Sequence, residues 1–403
     1  MFSKRKTNKI GLFCIILIIL LICPFSAYSK GKITVKPKLS ASWRTDDNFH
    51  KAETSEREVR TYIIQPGIQI GYESPKSLVT FDYTLGSYNY DETDPLPAGL
   101  DSAENDDFTG HTALFDLVSK TSSRVTLGLK NQYFKTRDSA KSDTFSNSID
   151  RDKYSINTLT PSILYNLGGK FSAGFRFRHT ETEYDVAAKE GSTEYRPIFD
   201  LLYNFNKTTS LDLEWQYWER DFDLSSDYES IQTKLILRKQ YKYFSFEAGA
   251  GYQNRDFDSL TQKDMDVIAY RFAITGQGPK SHVSLIAESN LNDSGGGVLY
   301  FVATRVTLKA GRVFMGKIPV ELSGMFQNSD YEDSTGLTPA GTVEIRDDDL
   351  SSIEGSVGYI FNDWLNFTVT AGHEKRDSNM AGKNYDNNYL SFNLNFNYSF
   401  GKR

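Results

Sequence analysis

The run from Tyr389 to Phe400, YLSFNLNFNYSF, constrains the fold more than any other stretch. Successive side chains of a strand point to opposite faces. Leu390, Phe392, Leu394, Phe396, Tyr398 and Phe400 therefore share one face, and Ser391, Asn393, Asn395, Asn397 and Ser399 share the other. A soluble sandwich strand shows the same alternation, usually over about five or six residues and with charges on its polar face. Here the alternation runs unbroken for long enough to meet the roughly 9 to 11 residues that a tilted strand needs to cross a bilayer.

The N-terminus says where such a strand would go. Lys4, Arg5, Lys6 and Lys9 precede an apolar run from Ile10 to Phe25, and Ala27-Tyr28-Ser29 supplies small residues at the positions a signal peptidase reads. The expectation is a secretory signal peptide over 1–29 and one domain over 30–403, delivered by Sec-type export to the bacterial outer membrane. An uncleaved inner-membrane anchor is the alternative. Ile22 before Cys23 is too bulky for a lipobox. The closing strand also resembles the C-terminal strand of bacterial outer-membrane barrels, which ends on an aromatic residue read by the insertion machinery. Phe400 fits that pattern, although Gly401, Lys402 and Arg403 follow it.

What remains after cleavage narrows the function. Both cysteines, Cys14 and Cys23, lie in the signal segment, so a mature chain has no disulfide or thiolate chemistry. Loss of the four N-terminal cations takes the formal charge from -6 to -10, which argues against nucleic acid as a partner. Eighteen candidate strands follow, from 33–43 to 386–400, and short and long connections alternate between them. Turns such as Ser74-Pro75-Lys76 and Gly278-Pro279-Lys280 alternate with polar stretches such as Arg44 to Glu58, Asp91 to Asp107 and Glu332 to Asp347. The expected fold is all-β: a transmembrane antiparallel up-and-down β-barrel of about 18 strands, with short periplasmic turns and longer extracellular loops.

One face of most strands is charged. Arg176, Arg178, Asp212, Glu214, Lys234, Arg238, Arg271, Arg305 and Lys309 alternate with apolar residues and are the lumen-lining candidates. A barrel of this size has a hydrated interior, so such rows need not be buried in apolar surroundings. A degenerate repeat marks the outward ends: YFKTRD from Tyr133, YWERDFD from Tyr217, YQNRDFD from Tyr252 and HEKRDS from His373. One reading is an aromatic girdle with an Arg-Asp ion pair beyond it; the other is a sugar-contacting mouth. Arg220, Asp221, Arg255, Asp256, Arg376 and Asp377 are accordingly outer-rim candidates, together with Asp46, Asp47 and Asn48.

The first strand and its loop read Pro37 to Phe49 (PKLSASWRTDDNF), and the second strand carries Gln65-Pro66-Gly67-Ile68. This pairing, with the Arg-Asp strand ends, resembles the β-barrel porin family encoded with bacterial exopolysaccharide operons. The resemblance implies an outer-membrane barrel that takes part in exporting a polysaccharide, with periplasmic export proteins as further partners. The alternative is a general or sugar-uptake porin, or a structural or enzymatic outer-membrane barrel. Lipid, lipopolysaccharide and the barrel-insertion machinery are expected partners in every case. No enzyme is expected: His50, His111, His179, His282 and His373 lack metal-ligand spacing, and no GxSxG elbow or phosphate-binding loop occurs. No cofactor or metal is expected either.

Overall fold

The computed structural model describes residues 31–400 apart from 97–100, 139–150, 187–188, 260–261, 294–299 and 340; the expected signal peptide lies outside the described residues. Alternating sequence becomes a single closed wall. The strands run in order as β1 (Lys32–Asp46), β2 (Val59–Glu73), β3 (Ser77–Glu92), β4 (Phe108–Lys120), β5 (Val125–Thr136) and β6 (Tyr154–Gly168). Then come β7 (Phe171–Tyr184), β8 (Ser192–Asn206), β9 (Thr209–Phe222), β10 (Tyr228–Gln240), β11 (Phe244–Phe257) and β12 (Met265–Gln277). The last six are β13 (Ser281–Asp293), β14 (Tyr300–Phe314), β15 (Ile318–Leu337), β16 (Val343–Asn362), β17 (Leu365–Ser378) and β18 (Tyr385–Asn397). Each pairs antiparallel with the next, and β18 pairs back onto β1.

Closure answers the bilayer's main demand. Hydrocarbon offers no partner to a backbone N–H or C=O, so a membrane-crossing sheet must have no edge. Outward side chains suit lipid: Ile64, Ile70, Leu213, Leu235, Leu308 and Leu394 are large, apolar and exposed. Cross-strand aromatic pairs reinforce this face, as where Phe199 sits 4.8 Å from Phe175 and 5.6 Å from Trp215. Eight connections of two to four residues lie at the end where β1 starts and β18 finishes, and the opposite connections are longer. At one of these tight turns Gly168 and Gly169 adopt φ of 99° and 61°, a left-handed geometry that disfavours a Cβ.

Prolines interrupt the ladder without shifting its register. Pro37 cannot donate, so beyond Lys38↔Asn397 the β1–β18 seam loses a bond and resumes at Val35↔Phe400 with the same offset. The closing strand is thus held as far as the aromatic residue the sequence singles out. Pairing likewise skips at Pro66, Pro161 and Pro197 and continues in register beyond each.

Two places differ from expectation. The polar stretch 332–347 is read from sequence as a loop, whereas β15 and β16 extend through most of it as a two-stranded ribbon, with a register shift between Asp330 and Thr335. Outside lipid neither face needs apolar residues, so alternation disappears while backbone pairing continues. The second difference is a parting of β12 from β13. Their pairing ends at Tyr270↔Ser289, although β12 reaches back to Met265 and β13 on to Asp293. Gln232 of β10 donates to Asn290 of β13 at 3.1 Å, across two intervening strands. Neighbouring strands are about 4.8 Å apart, so three steps along the wall exceed that distance severalfold. The described upper parts of β13 and β14, at Asn290, Leu291 and Tyr300, have left the wall and lean into the lumen.

The face assignment predicts unequal damage on neighbouring positions. Leu394→Arg should cost about 2 to 4 kcal/mol if it lies near the midplane, and Asn393→Arg, on the hydrated face, much less. Urea titration of refolding into vesicles, scored by heat-modifiable electrophoretic mobility, checks this. Equal losses would contradict the assignment.

Candidate functional site

Six ionic contacts climb the inner wall from β7 to β13. Arg176 forks Asp200 and reaches Glu214, both at 2.8 Å. Arg238 joins Asp212 at 2.7 Å to Glu247 at 2.9 Å, and Arg271 joins Glu247 at 3.0 Å to Glu288 at 2.6 Å. Arg305 stands one strand further along and donates to Gln327 at 2.8 Å. Lys234 lies in register with Glu214, and Lys309 with Ser284 and Ser323. Such half-exposed pairs contribute little stability, about 0 to 1 kcal/mol each. Their effect is to hold long cationic side chains against the wall and to alternate charge along a wetted surface. On the other side the wall is milder: Ser40 donates to Asn395, which donates to Asn366, and Lys38 meets Asp82.

The mouth is narrowed by its own loops. Val59 and Tyr90 occupy inward positions, and Phe49 from loop 47–58 and Ala103 from loop 93–107 pack on them with Phe108 in a buried cluster. A short 3-10 turn, Ala103–Asp106, shapes the second loop. Arg57 carries this core polar side: it bonds Glu92 at 2.6 Å, with side chains only 9% and 4% exposed. Arg151 covers the Phe49 ring at 3.8 Å. The apolar loop residues give the loops a reason to fold over the lumen rather than extend into water.

Asp46, Asp47 and Asn48 form a staple across the seam. Asp46 accepts from Asn387 at 3.3 Å, and Asp47 accepts from the Asn388 backbone and side chain at 2.7 and 2.8 Å. Fully buried Asn48 donates to Asp386 O and Ala52 O at 2.9 and 2.8 Å and accepts from Ala52 N. Asp46 and Asn48 thus lie inside the wall's upper edge rather than free at the rim.

The Arg-Asp dipeptides do not form ion pairs within themselves. Adjacent strand residues face opposite ways, so the arginines turn inward and the aspartates outward. Arg255 and Arg376 are each 2% exposed and Arg220 is 9% exposed, whereas Asp256 and Asp377 are on the surface. Arg220 donates to Ser192, and Arg376 approaches Asp348 at 3.9 Å. Asp377 pairs with Lys375 on its own outward face at 2.8 Å. Arg178 meets Glu194 at 2.9 Å, and the same carboxylate takes Arg196 at 2.7 Å.

Beneath the leaning hairpin lies a second inward cluster of Trp218, Phe222, Tyr228, Phe257, Met265, Leu291 and Tyr300. The Tyr300 ring meets Phe257 at 4.5 Å and Tyr228 at 5.9 Å. Arg196 and Trp218 were not among the sequence-derived candidates. Counting by two from Glu214 through Gln216 reaches Trp218 and was sufficient to find it; Arg196 is obscured by Pro197, which breaks the strand pattern beside it.

A closed eighteen-strand wall, lipid-facing outside and ionic inside, is the architecture of an outer-membrane channel. Residues 242–398 match the family model described as "Putative beta-barrel porin 2". The crystal structure of Acinetobacter baumannii OccAB4 aligns with a TM-score of 0.50 at 11% identity, covering 93% of this chain and 99% of that one. That of Acinetobacter baumannii OccAB2 aligns with a TM-score of 0.50 at 10% identity, covering 91% and 98%. No curated protein sequence matches. Over that stretch the chain is similar to a porin family, and the fold as a whole is the closed barrel of bacterial outer-membrane proteins. The β11–β18 part of this wall carries the family match.

Two outcomes follow for the mouth. Arg57→Ala leaves the buried Glu92 carboxylate without its counter-charge and with the Ala103 N–H as its remaining partner, a change that costs about 3 to 5 kcal/mol. The loss falls on the loop core, so loops 47–58 and 93–107 should become sensitive to protease in a still heat-modifiable barrel, and single-channel conductance should rise. His50 offers a pH test. Burial and the neighbouring Arg57 hold its imidazole below the ordinary value of 6.5, and its Nε2 is buried without a partner. Opened loops bind that proton more readily than packed ones, so the packing is fully present above about pH 6.5 and weakens as pH falls below it. Conductance should increase on acidification, and His50→Phe should remove the dependence; an unchanged profile in that variant would assign the effect elsewhere.

Proposed function

We propose that the barrel is a passive uptake channel for small hydrophilic solutes of about sugar size. The inward-packed mouth carries this reading: loops 47–58 and 93–107 cover one side of the entrance and the leaning β13–β14 hairpin the other. A polymer in transit needs an opening that stays clear along its whole length, whereas a small solute passes a constriction and gains from weak contacts along the wall. The alternating cations and carboxylates from Arg176 to Glu288 supply such contacts without one deep trap. The porin family match supports the same direction.

Export of an exopolysaccharide is the second reading, favoured by the Asp46-Asp47-Asn48 and Pro66-Gly67 resemblance. Liposome swelling separates the two. Mono- and disaccharides should enter vesicles carrying the purified barrel while longer oligosaccharides are excluded, and Arg57→Ala should raise the size limit. Absence of sugar flux, together with a deletion strain that makes a polymer but fails to display it, would establish export instead.

A further inference from the structure

On the inner wall, beneath the leaning hairpin, unsatisfied donors gather in one patch. Arg255 is 2% exposed, and its Nε and Nη1 have no hydrogen-bond partner. Its guanidinium rests on rings alone, 4.1 Å from the centre of Tyr228 and 5.5 Å from that of Tyr300. Ser230 separates Arg255 from Trp218 along the same register row, and Trp218 Nε1 is also buried and unpartnered. Arg196, on the strand beyond, lies 4.0 Å over Trp218 with its own Nε unpartnered. Gln253, two residues before Arg255 on the same face, is fully buried and has a free Nε2, its Oε1 being taken by Gln232 at 2.9 Å.

These five atoms, Arg255 Nε and Nη1, Arg196 Nε, Trp218 Nε1 and Gln253 Nε2, are all donors. The nearby carboxylate, Glu194, is already shared by Arg178 and Arg196. Buried polar groups are almost always paired, so a cluster of one polarity marks a place where the missing partner comes from outside the chain. The missing partner is an acceptor, and a planar guanidinium edge matches the two oxygens of a carboxylate. The rings of Trp218, Tyr228 and Tyr300 add flat apolar faces of the kind that suits a pyranose.

We propose that this patch is a binding subsite for a carboxylate-bearing sugar of the uronic-acid class, with Arg255 forking the carboxylate and Arg196, Trp218 and Gln253 donating to it or to neighbouring hydroxyls. Tyr300 and Leu291 pack against the rings of the patch. The proposal rests on the channel reading for the route the solute takes, but binding is testable without conduction.

Titration calorimetry of the folded, detergent-solubilised barrel at low salt, with sodium galacturonate and galactose as probes, provides the test. Wild type should bind galacturonate at least about tenfold more tightly than galactose, the scale of a charge-assisted bidentate contact. Arg255→Gln should abolish that preference and Arg255→Lys should retain part of it. Lys239→Gln, outside the patch, should leave it unchanged. Equal binding of the two sugars by wild type, or a preference intact in both Arg255 variants, overturns the proposal. Heat-modifiable mobility shows whether each variant has folded; if Arg255→Gln has not, the wild-type comparison and Arg255→Lys decide. A barrel that binds galacturonate selectively yet shows no solute flux would refute the channel reading and leave the subsite standing.

Discussion

The hydrogen bonds between β1 and β18 are the interaction on which everything else depends. Seventeen pairings between sequential neighbours make only a curled sheet, whose two edges would stand unpaired in hydrocarbon. Joining Lys38–Asp46 to Tyr389–Asn397 removes both edges. Only then does the division into a lipid face and a water face have meaning. The Asp46-Asp47-Asn48 staple sits at the upper end of this seam and the Val35–Phe400 bridge near its lower end, so the closure is fastened above and below the proline gap.

Once the wall is closed, the inner face can carry charges that a soluble core would reject. Arg176, Arg238 and Arg271 each touch two carboxylates, so the charge of these three is compensated along the passage from β7 to β13. The loops then reduce the space this wall encloses. Their packing depends on ordinary burial of Phe49, Ala103 and Phe108, and on Arg57 and Glu92 as a buried pair, rather than on the membrane.

The wall was legible in the sequence because lipid imposes strict alternation. Leu213 and Trp215 against Asp212 and Glu214 can be read only one way. Alternation says nothing where lipid ends. Above the membrane, inward aromatic residues such as Tyr228 and Phe257 obey the same period as girdle residues, so Tyr-X-X-Arg-Asp looked like a rim motif when its arginine turns to the interior. The parting of β12 and β13 has no local signature, since it arises from contacts between Tyr300 and residues on β10 and β11 that lie far away in the chain.

An even number of strands has a consequence for whatever is joined to the chain. Because β1 and β18 run antiparallel, the start of β1 and the finish of β18 both lie on the short-turn side of the wall, the side that faces the periplasm. A peptide joined just before β1 or just after β18 therefore stays inside the cell envelope. Only an insertion into a connection such as 223–227 or 379–384 would present a foreign epitope to the medium.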